Sequence, residues 1–456
     1  MSAKKIVCLG GGSLYFRRAI PDLLISQDLG GSELVLYDID EEKVRMMAEM
    51  GQRLAERAST GFSVRSTIDL ADAVDGADFA LSSIGGSGAE ITRNVYDSNF
   101  HNADIRVPIK YGITQVIGDT CGPAGMMMAL RSVPAYIEIC REMEKRCPGV
   151  ILFNHSNPMA VLCRAMHKHT DINVIGICHG VQGGLAYAAE ILELPVEDLN
   201  CDWIGTNHYF WFTRVMNKNV DVYPELMRRV AERTAPEGKR LSAALSQIYG
   251  HHIVYPSDDH IVEFYPFLTQ TAGDVDNLPY GMTESLKRHG YDPGKPPPSA
   301  EPPGPDVRTS FFESYKGLLD EVELPEKLDD SITGEGLASL IGDIAHGRRR
   351  VHIVNVANQG AIPNLPPTAE VELEGVTDYS GVSPIQTGEA PPVLKGLLEK
   401  RFVWHELVAD AAVSGDRSLA LQALMVDEMS ILPEKAEAML EELLLASKDL
   451  LPRFFQ

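Results

Sequence analysis

The sequence predicts an α/β protein with a doubly wound parallel sheet, and three observations predict it. Short apolar segments recur through the first half of the chain, at residues 5–9, 34–37, 79–84, 150–153 and 174–177. Amphipathic helical patterns lie between them, at residues 14–26, 41–58, 124–146 and 158–169. A glycine-rich turn at residues 10–13 joins the first strand to the first helix. Strands that alternate with helices in this way form a parallel sheet with right-handed crossovers, of the Rossmann type.

Length and composition favour a globular enzyme with more than one domain. The chain has 456 residues, of which 44% are hydrophobic and 23% are charged. This is enough for a large core and for two or three domains. We assign residues 1–195 to the doubly wound domain and residues 196–456 to a mixed, mainly helical domain. Residues 288–309 are rich in proline, glycine and charge, which is typical of a surface insertion or a flexible loop.

The charge and cysteine content exclude several classes of protein. The net charge of −23 argues against nucleic acid and anionic membrane surfaces as partners, because phosphates would be repelled. The seven cysteines are odd in number and form no disulfide framework, which is typical of thiols in a reducing compartment. The N-terminus leads directly into strand-like residues, and no long apolar segment follows. We therefore expect a cytoplasmic protein with no signal peptide and no membrane span.

The glycine-rich turn is a candidate dinucleotide site. Gly10 and Gly12 supply the first two glycines of the G-x-G-x-x-G fingerprint, although Tyr15 stands at the third position. Asp38 ends the second strand, where its carboxylate could bind the adenosine ribose hydroxyls and favour NAD. The candidate cofactor-binding residues are Gly10, Gly12, Ser13, Leu14 and Asp38. A tight strand-to-helix turn without a ligand is the alternative interpretation.

Cys178 and His179 directly follow the strand at residues 174–177. Open α/β sheets place their sites at the carboxyl ends of strands, and a thiolate with an imidazole suits Zn, Fe, Co or Mn. Two protein ligands are too few for a closed structural metal site, so substrate oxygens could complete the coordination. A buried cysteine and a core histidine are the alternative, but Asn154 and Asn157 after the preceding strand favour a site.

Two further groups of polar residues are candidates for the functional site. Their residue types alone do not decide which role they have. Residues 255–260, followed by Glu263, combine carboxylates with a histidine. This combination fits a general base, but also a solvated turn that caps a helix. Asp119 lies in the loop at residues 118–123, just before a predicted helix. It is either a site carboxylate or an N-terminal cap.

Several motifs together resemble one family of enzymes. They lie at residues 10–13, 115–120, 153–158, 176–179, 205–208, 361–366, 389–392 and 411–416. These segments look like family 4 of the glycoside hydrolases, and the resemblance covers nearly the whole chain outside the insertion at 288–309. It implies a Rossmann-type N-terminal domain followed by a C-terminal domain, in an arrangement like that of lactate and malate dehydrogenases.

The resemblance implies a glycosidase that requires NAD and a divalent metal, with Mn²⁺ expected. In this family NAD oxidises C3 of the sugar, a base removes the C2 proton, and the aglycone leaves by elimination. Water then adds at C1 and the hydride returns to C3. This route is an exception to the mechanism in which two carboxylates flank the scissile bond.

The resemblance also assigns roles to individual residues. The implied metal ligands are Cys178 and His208. The implied substrate-binding residues are Asn154 and His260. The implied catalytic residues are His179, Asp259, Tyr255 and Asp119. Among them, His179 is the acid that assists the leaving group, and Asp259 is the base at C2 with Tyr255 as the alternative. Asp119 lines the site and tunes the base.

The sugar is less sharply defined than the reaction. Cys178, His179 and Gly180 are similar to the α-glucuronidase and α-galacturonidase branch, whereas Val181 and Gln182 are similar to α-galactosidases. We expect an unphosphorylated α-glycoside, with an α-glucuronide or α-galacturonide favoured and an α-galactoside or α-glucoside as alternatives. An NAD-dependent 2-hydroxy acid or sugar dehydrogenase and a non-catalytic nucleotide sensor are the alternatives of other classes. A small carbohydrate is the expected partner, and the expected assembly is a homodimer or homotetramer.

Overall fold

The computed structural model describes residues 3–88, 90–232, 235–236, 238–255, 257–271, 273–328 and 336–456. Its strands are β1 (Lys5–Leu9), β2 (Glu33–Tyr37), β3 (Ser63–Thr67), β4 (Phe79–Ser82), β5 (Ile151–Asn154), β6 (Asn173–Gly176), β7 (Leu199–Thr206), β8 (Tyr209–Asn217), β9 (Val220–Asp221), β10 (Val351–Ala357), β11 (Glu370–Asp378) and β12 (Gly381–Pro384). Nine of these strands form one sheet, and β7, β8 and β9 form a second, antiparallel sheet.

The helices are α1 (Phe16–Ile25), α2 (Glu41–Ala58), α3 (Leu70–Val74), α4 (Asn99–Lys110), α5 (Gly122–Arg146), α6 (Met159–His169), α7 (Gly180–Leu192), α8 (Tyr223–Glu232), α9 (Arg240–Tyr249), α10 (Asp258–Ile261), α11 (Met282–Arg288), α12 (Pro305–Asp320), α13 (Leu337–Ala345), α14 (Pro392–Ser414), α15 (Arg417–Val426) and α16 (Pro433–Ala446). Among the described residues, no helix combines the length and the apolar character that a membrane crossing needs.

The order of the large sheet is β12-β11-β10-β6-β5-β4-β1-β2-β3. The six neighbouring strands β6, β5, β4, β1, β2 and β3 all run parallel. They have the order of a doubly wound nucleotide-binding sheet, whose switch point lies between β1 and β4. The predicted fold class is confirmed.

The sheet is longer than the sequence pattern indicated. Strand β10 pairs antiparallel with β6 through Asn355 and Gly176, and β11 and β12 continue the sheet outward. These strands come from the second half of the chain. The division into domains at residues 195 and 196 stays a prediction, although the large sheet draws strands from both sides of that boundary.

The large sheet separates two hydrophobic cores. In β1, Ile6 and Cys8 belong to one core and Val7 and Leu9 to the other, as expected when successive side chains point to opposite faces. Helices α1, α2 and α13 pack on the first face, and α5, α6 and α14 pack together on the second. Strand β1 is therefore buried on both faces, as its uninterrupted apolar pattern predicts.

The segment at residues 288–309 is anchored in the structure. Proline at residue 305 begins the sixteen-residue helix α12, because proline fits the first helical position and has no amide hydrogen to lose. Before this helix, Asn102 donates to the backbone oxygen of Gly290 at 2.7 Å, and Arg106 donates to that of Lys295 at 3.0 Å. The insertion therefore packs against α4, and its last residues are helical and not a flexible loop.

A buried ion pair joins α4 to α5. The guanidinium of Arg131 donates to both carboxylate oxygens of Asp104, at 3.0 and 2.5 Å, and both side chains are at most 2% exposed. Arg131 also donates to Ser447 at 3.1 Å and to the backbone oxygen of Gly86 at 3.1 Å. This arginine therefore links the long helix α5 to three other parts of the chain.

We expect Asp104→Ala to lower the free energy of unfolding by about 3–5 kcal/mol, because it leaves the buried charge of Arg131 without its partner. Urea unfolding followed by circular dichroism measures the change. The matched control removes the exposed carboxylate of the Arg45–Glu49 pair, and Glu49→Ala should cost less than about 1 kcal/mol. Equal losses in the two variants would contradict the structural role of the buried pair.

Candidate active site

The carboxyl ends of the central parallel strands place several predicted site residues at one edge of the sheet. Gly10 follows β1, Ser83 follows β4, Asn154 ends β5 and Cys178 lies just after β6. This edge spans the switch point of the sheet, where connections leave in opposite directions and open a crevice. The candidate site is therefore in the place that the fold class predicts.

The glycine-rich turn is shaped by close backbone contacts. Gly10 has a φ of +75°, and a Cβ atom there would lie 2.3 Å from the backbone oxygen of Ser83. Only glycine fits at this position, because any side chain would collide with the backbone. Ser13 and Ser83 share a hydrogen bond of 2.9 Å between their hydroxyls, and Leu14 is half-buried against the core.

Asp38 closes this turn from the end of β2. Its Oδ2 accepts from the amide of Gly12 at 2.9 Å, and its Oδ1 accepts from the amide of Asp40 at 2.9 Å. Burial raises the pKa of Asp38, while these amides and Lys43 lower it. The turn and the carboxylate form a cradle that fits a dinucleotide, with the start of α1 close by for the pyrophosphate.

A group of three potential metal ligands lies in the crevice. Asp119, His208 and His260 each offer one ligand atom, and these atoms lie within 4.8 Å of one another. A carboxylate and two imidazoles suit a divalent cation, and three ligands leave coordination positions open for a substrate. The spacing and the donor set therefore fit a catalytic metal.

Asp119 is placed by the loop that precedes α5. Oδ2 of Asp119 accepts from the hydroxyl of Tyr96 at 2.9 Å and from Nδ2 of Asn157 at 2.8 Å. Its Oδ1 accepts from the hydroxyl of Thr120 at 2.7 Å, and this hydroxyl also lies 2.9 Å from Nδ1 of His208. Asp119 is therefore held beside His208 and not at the surface, and its role as a site carboxylate stays a prediction.

A second carboxylate holds the loop itself. Oε1 of Glu263 accepts from the backbone amides of Val116, Ile117 and Gly118 at 2.6, 2.7 and 2.9 Å, and Glu263 is buried. At the other end of the loop, the amide of Gly122 donates to Asp427 at 3.1 Å. The two carboxylates fix the backbone on both sides of Asp119.

The charges in this group perturb one another. Burial alone would raise the pKa of Asp119, but His260 and His208 lower it to about 2, with hydrogen bonds from its neighbours. Burial lowers the pKa of His208 to about 3, and His260 contributes in the same direction. Burial would also lower the pKa of His260, but Asp259 and Asp119 outweigh it and raise the pKa.

His208 has a strained backbone. Its φ is +63°, a conformation that residues other than glycine rarely adopt. It lies in the tight turn between β7 and β8, and its ring packs against the rings of Tyr255 and His260, at centroid distances of 4.6 and 4.7 Å. Such strain persists where the surroundings fix it, and it is concentrated at functional sites.

Asp259 and Tyr255, the two predicted bases, lie on opposite sides of His260. Oδ2 of Asp259 accepts from the hydroxyl of Ser285 at 2.7 Å, and its Oδ1 accepts from the hydroxyl of Ser257 and from the amide of His260. Burial would raise the pKa of Asp259, but His260 and the two serines lower it. The hydroxyl of Tyr255 lies 3.3 Å from Nε2 of His260, and burial raises its pKa strongly.

The predicted metal pair is only partly reproduced by the geometry. His208 belongs to the three-ligand group, whereas Cys178 does not. Sγ of Cys178 is buried and accepts from the amide of Gly180 at 3.3 Å. His179 is exposed, and its charge is one of the smaller causes that lower the pKa of His208. The roles of Cys178 as a ligand and of His179 as an acid stay predictions.

Asn154 takes a structural position. It is fully buried, and its Oδ1 accepts from the hydroxyl of Tyr136 at 2.9 Å, while its Nδ2 donates to the backbone oxygen of Ser156 at 3.0 Å. It thus supports the turn that carries Asn157 into contact with Asp119. The contact of Asn154 with substrate stays a prediction, as does that of His260.

From the sequence, Asn157 and Glu263 were members of candidate groups without a role of their own, and Tyr96 was not a candidate. The motif at residues 153–158 was a signal for Asn157, because it follows β5 directly. For Tyr96, in an irregular segment, no local pattern indicates the contact with Asp119. Glu263 follows the group at residues 255–260, but its three amide donors come from a loop almost 150 residues earlier.

Comparison with known proteins identifies the family. Residues 5–194 match the model of the family 4 glycosyl hydrolases, and residues 203–429 match the model of the family 4 glycosyl hydrolase C-terminal domain. The chain therefore belongs to family 4 of the glycosyl hydrolases, which are glycosidases, and the resemblance noted in the sequence is confirmed.

Individual relatives cover the whole length of the chain. An α-galactosidase from Bacillus subtilis is 27% identical over 99% of this chain and 100% of its own. An α-galacturonidase from Lachnoclostridium phytofermentans is 27% identical over 99% of this chain and 98% of its own. These two relatives are named for different sugars, although each is 27% identical to this chain.

Solved structures support the fold. The crystal structure of a putative glucosidase from Bacillus subtilis has a TM-score of 0.79 and 26% identity, and covers 97% of this chain and 100% of its own. A 6-phospho-α-glucosidase from gut microorganisms, in complex with NAD and Mn²⁺, has a TM-score of 0.76 at 22% identity, over 98% and 99% of the two chains. Lactate dehydrogenase from Eimeria maxima has a TM-score of 0.52 at 13% identity, over 91% and 96%. The dehydrogenase-like architecture is confirmed.

We expect His208→Ala to weaken Mn²⁺ binding more than tenfold. His208 belongs both to the group with Asp119 and His260 and to the predicted pair with Cys178. Loss of a residue that only supports a metal ligand already costs about 10–100-fold in metal affinity, so loss of a ligand should cost at least as much. Electron paramagnetic resonance of free Mn²⁺, titrated with the purified protein, measures the affinity. His169→Ala, which changes a histidine paired with Asp410 at the surface, is the control.

Two more variants identify which residues bind the metal together with His208. If Asp119, His208 and His260 hold the ion, His260→Ala weakens binding and Cys178→Ser does not. If the sequence-based pair holds it, the pattern is reversed. Wild-type affinity in His208→Ala would contradict both sets.

Proposed function

We propose that this protein hydrolyses unphosphorylated α-glycosides, with an α-glucuronide or α-galacturonide favoured, and that it requires NAD and a divalent metal, with Mn²⁺ favoured. One arrangement carries the proposal: the ligand group and the glycine-rich turn both lie at the carboxyl edge of the parallel strands. Asn157, which donates to Asp119 of that group, follows β5, and the turn follows β1 in the same sheet. A dinucleotide site beside a metal site fits a redox step on a substrate that the metal holds.

The relatives support the cofactors and the reaction class. The names of the aligned proteins include α-galactosidase, α-glucosidase and α-galacturonidase. A protein of the same fold was crystallised with NAD and Mn²⁺, and this chain offers a cradle and a ligand group that fit both. Once bound, NAD would accept and return a hydride and the metal would act as a Lewis acid.

The residues of this chain would then divide the work. Gly10, Gly12 and Asp38 hold the dinucleotide, and His208 is the ligand common to both possible metal sets. Asp259 is the base at C2, because its carboxylate lies beside the ligand group and two serine hydroxyls orient it. His179 is the acid for the leaving group, because its side chain is exposed to solvent and its charge acts on His208.

The crevice is also suited to excluding water from the reacting carbons. Tyr255, His208 and His260 pack ring against ring, and Tyr255 is buried. In such surroundings, fixed hydrogen-bond donors stabilise developing negative charge more strongly than water would. This arrangement favours a route through an anionic species over the two-carboxylate route.

Two observations favour a uronide as the substrate. The order Cys178, His179, Gly180 resembles the α-glucuronidase and α-galacturonidase branch. Several relatives are also named α-galacturonidase. An α-galactoside is the second candidate, because the relatives of that name are equally similar. The cytoplasmic location and the homodimer or homotetramer stay predictions.

Hydrolysis of 4-nitrophenyl α-galacturonide, α-glucuronide, α-galactoside and α-glucoside tests the function. We expect nitrophenol to be released only when NAD⁺, Mn²⁺ and a thiol reductant are all present, and fastest from a uronide. The matched control repeats the assay with EDTA in place of Mn²⁺. Release that is independent of NAD⁺ would contradict the proposal, and NADH accumulating from free sugars would indicate a dehydrogenase.

We expect Asp259→Asn to stop exchange of the C2 hydrogen for solvent deuterium, because an amide cannot accept that proton. Proton NMR of substrate turned over in D₂O measures the exchange. Tyr255→Phe is the matched variant, since it removes one hydroxyl next to the same histidine. Exchange that persists in Asp259→Asn and disappears in Tyr255→Phe would transfer the role of base to Tyr255.

A further inference from the structure

The turn that carries His208 is joined to the large sheet through strand β11. The indole of Trp203, on β7, donates to the backbone oxygen of Glu372 at 2.8 Å. The hydroxyl of Thr206, at the end of β7, donates to the backbone oxygen of Glu370 at 2.8 Å. Strands β7 and β11 belong to different sheets. The side chains of β7 therefore bind the backbone of β11 just before the turn begins.

The side chain of Glu372 continues this connection into the turn itself. Nδ2 of Asn207, the residue directly before His208, donates to Oε2 of Glu372 at 3.2 Å. Asn207 and Glu372 are both buried, so this hydrogen bond is shielded from solvent. The backbone of His208, with its φ of +63°, is costly and persists only where the surroundings hold it. The bond between Asn207 and Glu372 holds the chain where it enters that conformation.

Glu372 is also connected to the strand that leads to Cys178. It lies opposite Asn355 on β10, and Asn355 pairs with Gly176 at the end of β6. A Cβ at Gly176 would lie 2.8 Å from the Cβ of Asn355, so β10 can pack this closely because Gly176 has no side chain. Cys178 follows two residues later. Through one neighbour on each side, Glu372 is thus connected to the two segments that carry His208 and Cys178.

The proposed reaction gives the carboxyl group of Glu372 no chemical step, yet burying such a group is costly unless it is hydrogen-bonded. Burial raises the pKa of Glu372 to about 7, although Asn207, Asn355 and the charge of His179 act in the opposite direction. Near neutral pH a large fraction of this carboxyl group is therefore uncharged. What Asn207 needs from it is an acceptor oxygen in the right place, and a neutral side chain of the same shape can supply one.

We propose that Glu372 is a positioning residue for the metal site, and that it acts through Asn207 by holding the turn that carries His208. This inference rests on the proposed requirement for a divalent metal, and it applies to either set of ligands because both contain His208. Glu372 touches neither metal nor substrate in this assignment. Its effect is to restrict where the imidazole of His208 lies, and ligands restricted in this way bind a metal more tightly.

Titration of Mn²⁺ with the full-length variants, followed by electron paramagnetic resonance of the free ion, tests this role. We expect Glu372→Ala and Asn207→Ala each to raise the Kd of Mn²⁺ about tenfold or more. The double variant should lose no more affinity than Glu372→Ala alone, because the two side chains act through one contact. Glu372→Gln should keep the wild-type affinity, because its amide oxygen can accept the hydrogen bond from Asn207.

Glu374→Ala is the matched control and should leave the Kd of Mn²⁺ unchanged. Glu374 lies two residues further along β11 on the same face of the strand, where its charged neighbours are Asp202 and Arg214. Isothermal titration with NAD⁺ in the absence of metal gives a second measurement for every variant. We expect wild-type NAD⁺ affinity throughout, because β10, β6, β5 and β4 separate β11 from the strand that leads to the glycine-rich turn.

The outcomes separate this inference from the proposed function. The role of Glu372 is overturned if wild-type protein binds Mn²⁺ and Glu372→Ala binds it equally well, or if Glu372→Gln binds it as weakly as Glu372→Ala. Equal losses of Mn²⁺ and NAD⁺ affinity would be a general effect on the fold and would also overturn it. If Glu372→Ala does not fold, Asn207→Ala decides by the same measurement, and wild-type Mn²⁺ affinity in that variant overturns the role. If wild-type protein binds no Mn²⁺, the proposed metal requirement fails together with this inference.

Discussion

The site depends on one buried carboxylate. Glu263 accepts hydrogen bonds from three consecutive backbone amides of the loop at residues 116–118, and this loop carries Asp119 into the crevice. Glu263 itself lies two residues after the short helix α10, which carries Asp259 and His260. A single side chain therefore sets the distance between the carboxylate from the first half of the chain and the histidine from the second. Backbone amides are fixed donors, so this connection is stiffer than one between two flexible side chains.

Asp119 is the point at which separate parts of the chain meet. Tyr96, Asn157 and Thr120 all donate to it, and two of the three come from other segments. The neighbouring His208 and His260 keep the pKa of its carboxyl low although it is buried. An ionised carboxylate beside two imidazoles is a suitable place for a divalent cation, because a cation offsets the cost of burying the negative charge.

Local patterns were sufficient for the parallel part of the fold. The pattern for α2 agrees with the structure from Glu41 to Ala58, because Asp40 caps its first turn and apolar residues repeat along one side. The antiparallel extension β10 to β12 was not predicted, since strands at a sheet edge depend on a partner far away in the sequence. The first five residues of helix α12 lie in the segment at residues 288–309, whose proline and glycine content indicated a loop, although Pro305 itself is a favourable first residue of a helix.

The sequence by itself determined the parallel sheet, the glycine-rich turn, the family and most of the polar residues of the site. These features rest on short-range patterns. One example is an apolar strand followed by glycines, and another is the strand that is followed by Cys178 and His179. Only the tertiary structure decided which of these residues meet. It brought His260 to Asp119 and His208, left Cys178 outside that group and placed Asn154 beneath the surface. The reason is geometric: distances between ligand atoms depend on loops that are fixed by contacts such as that of Glu263, and no local pattern encodes those contacts.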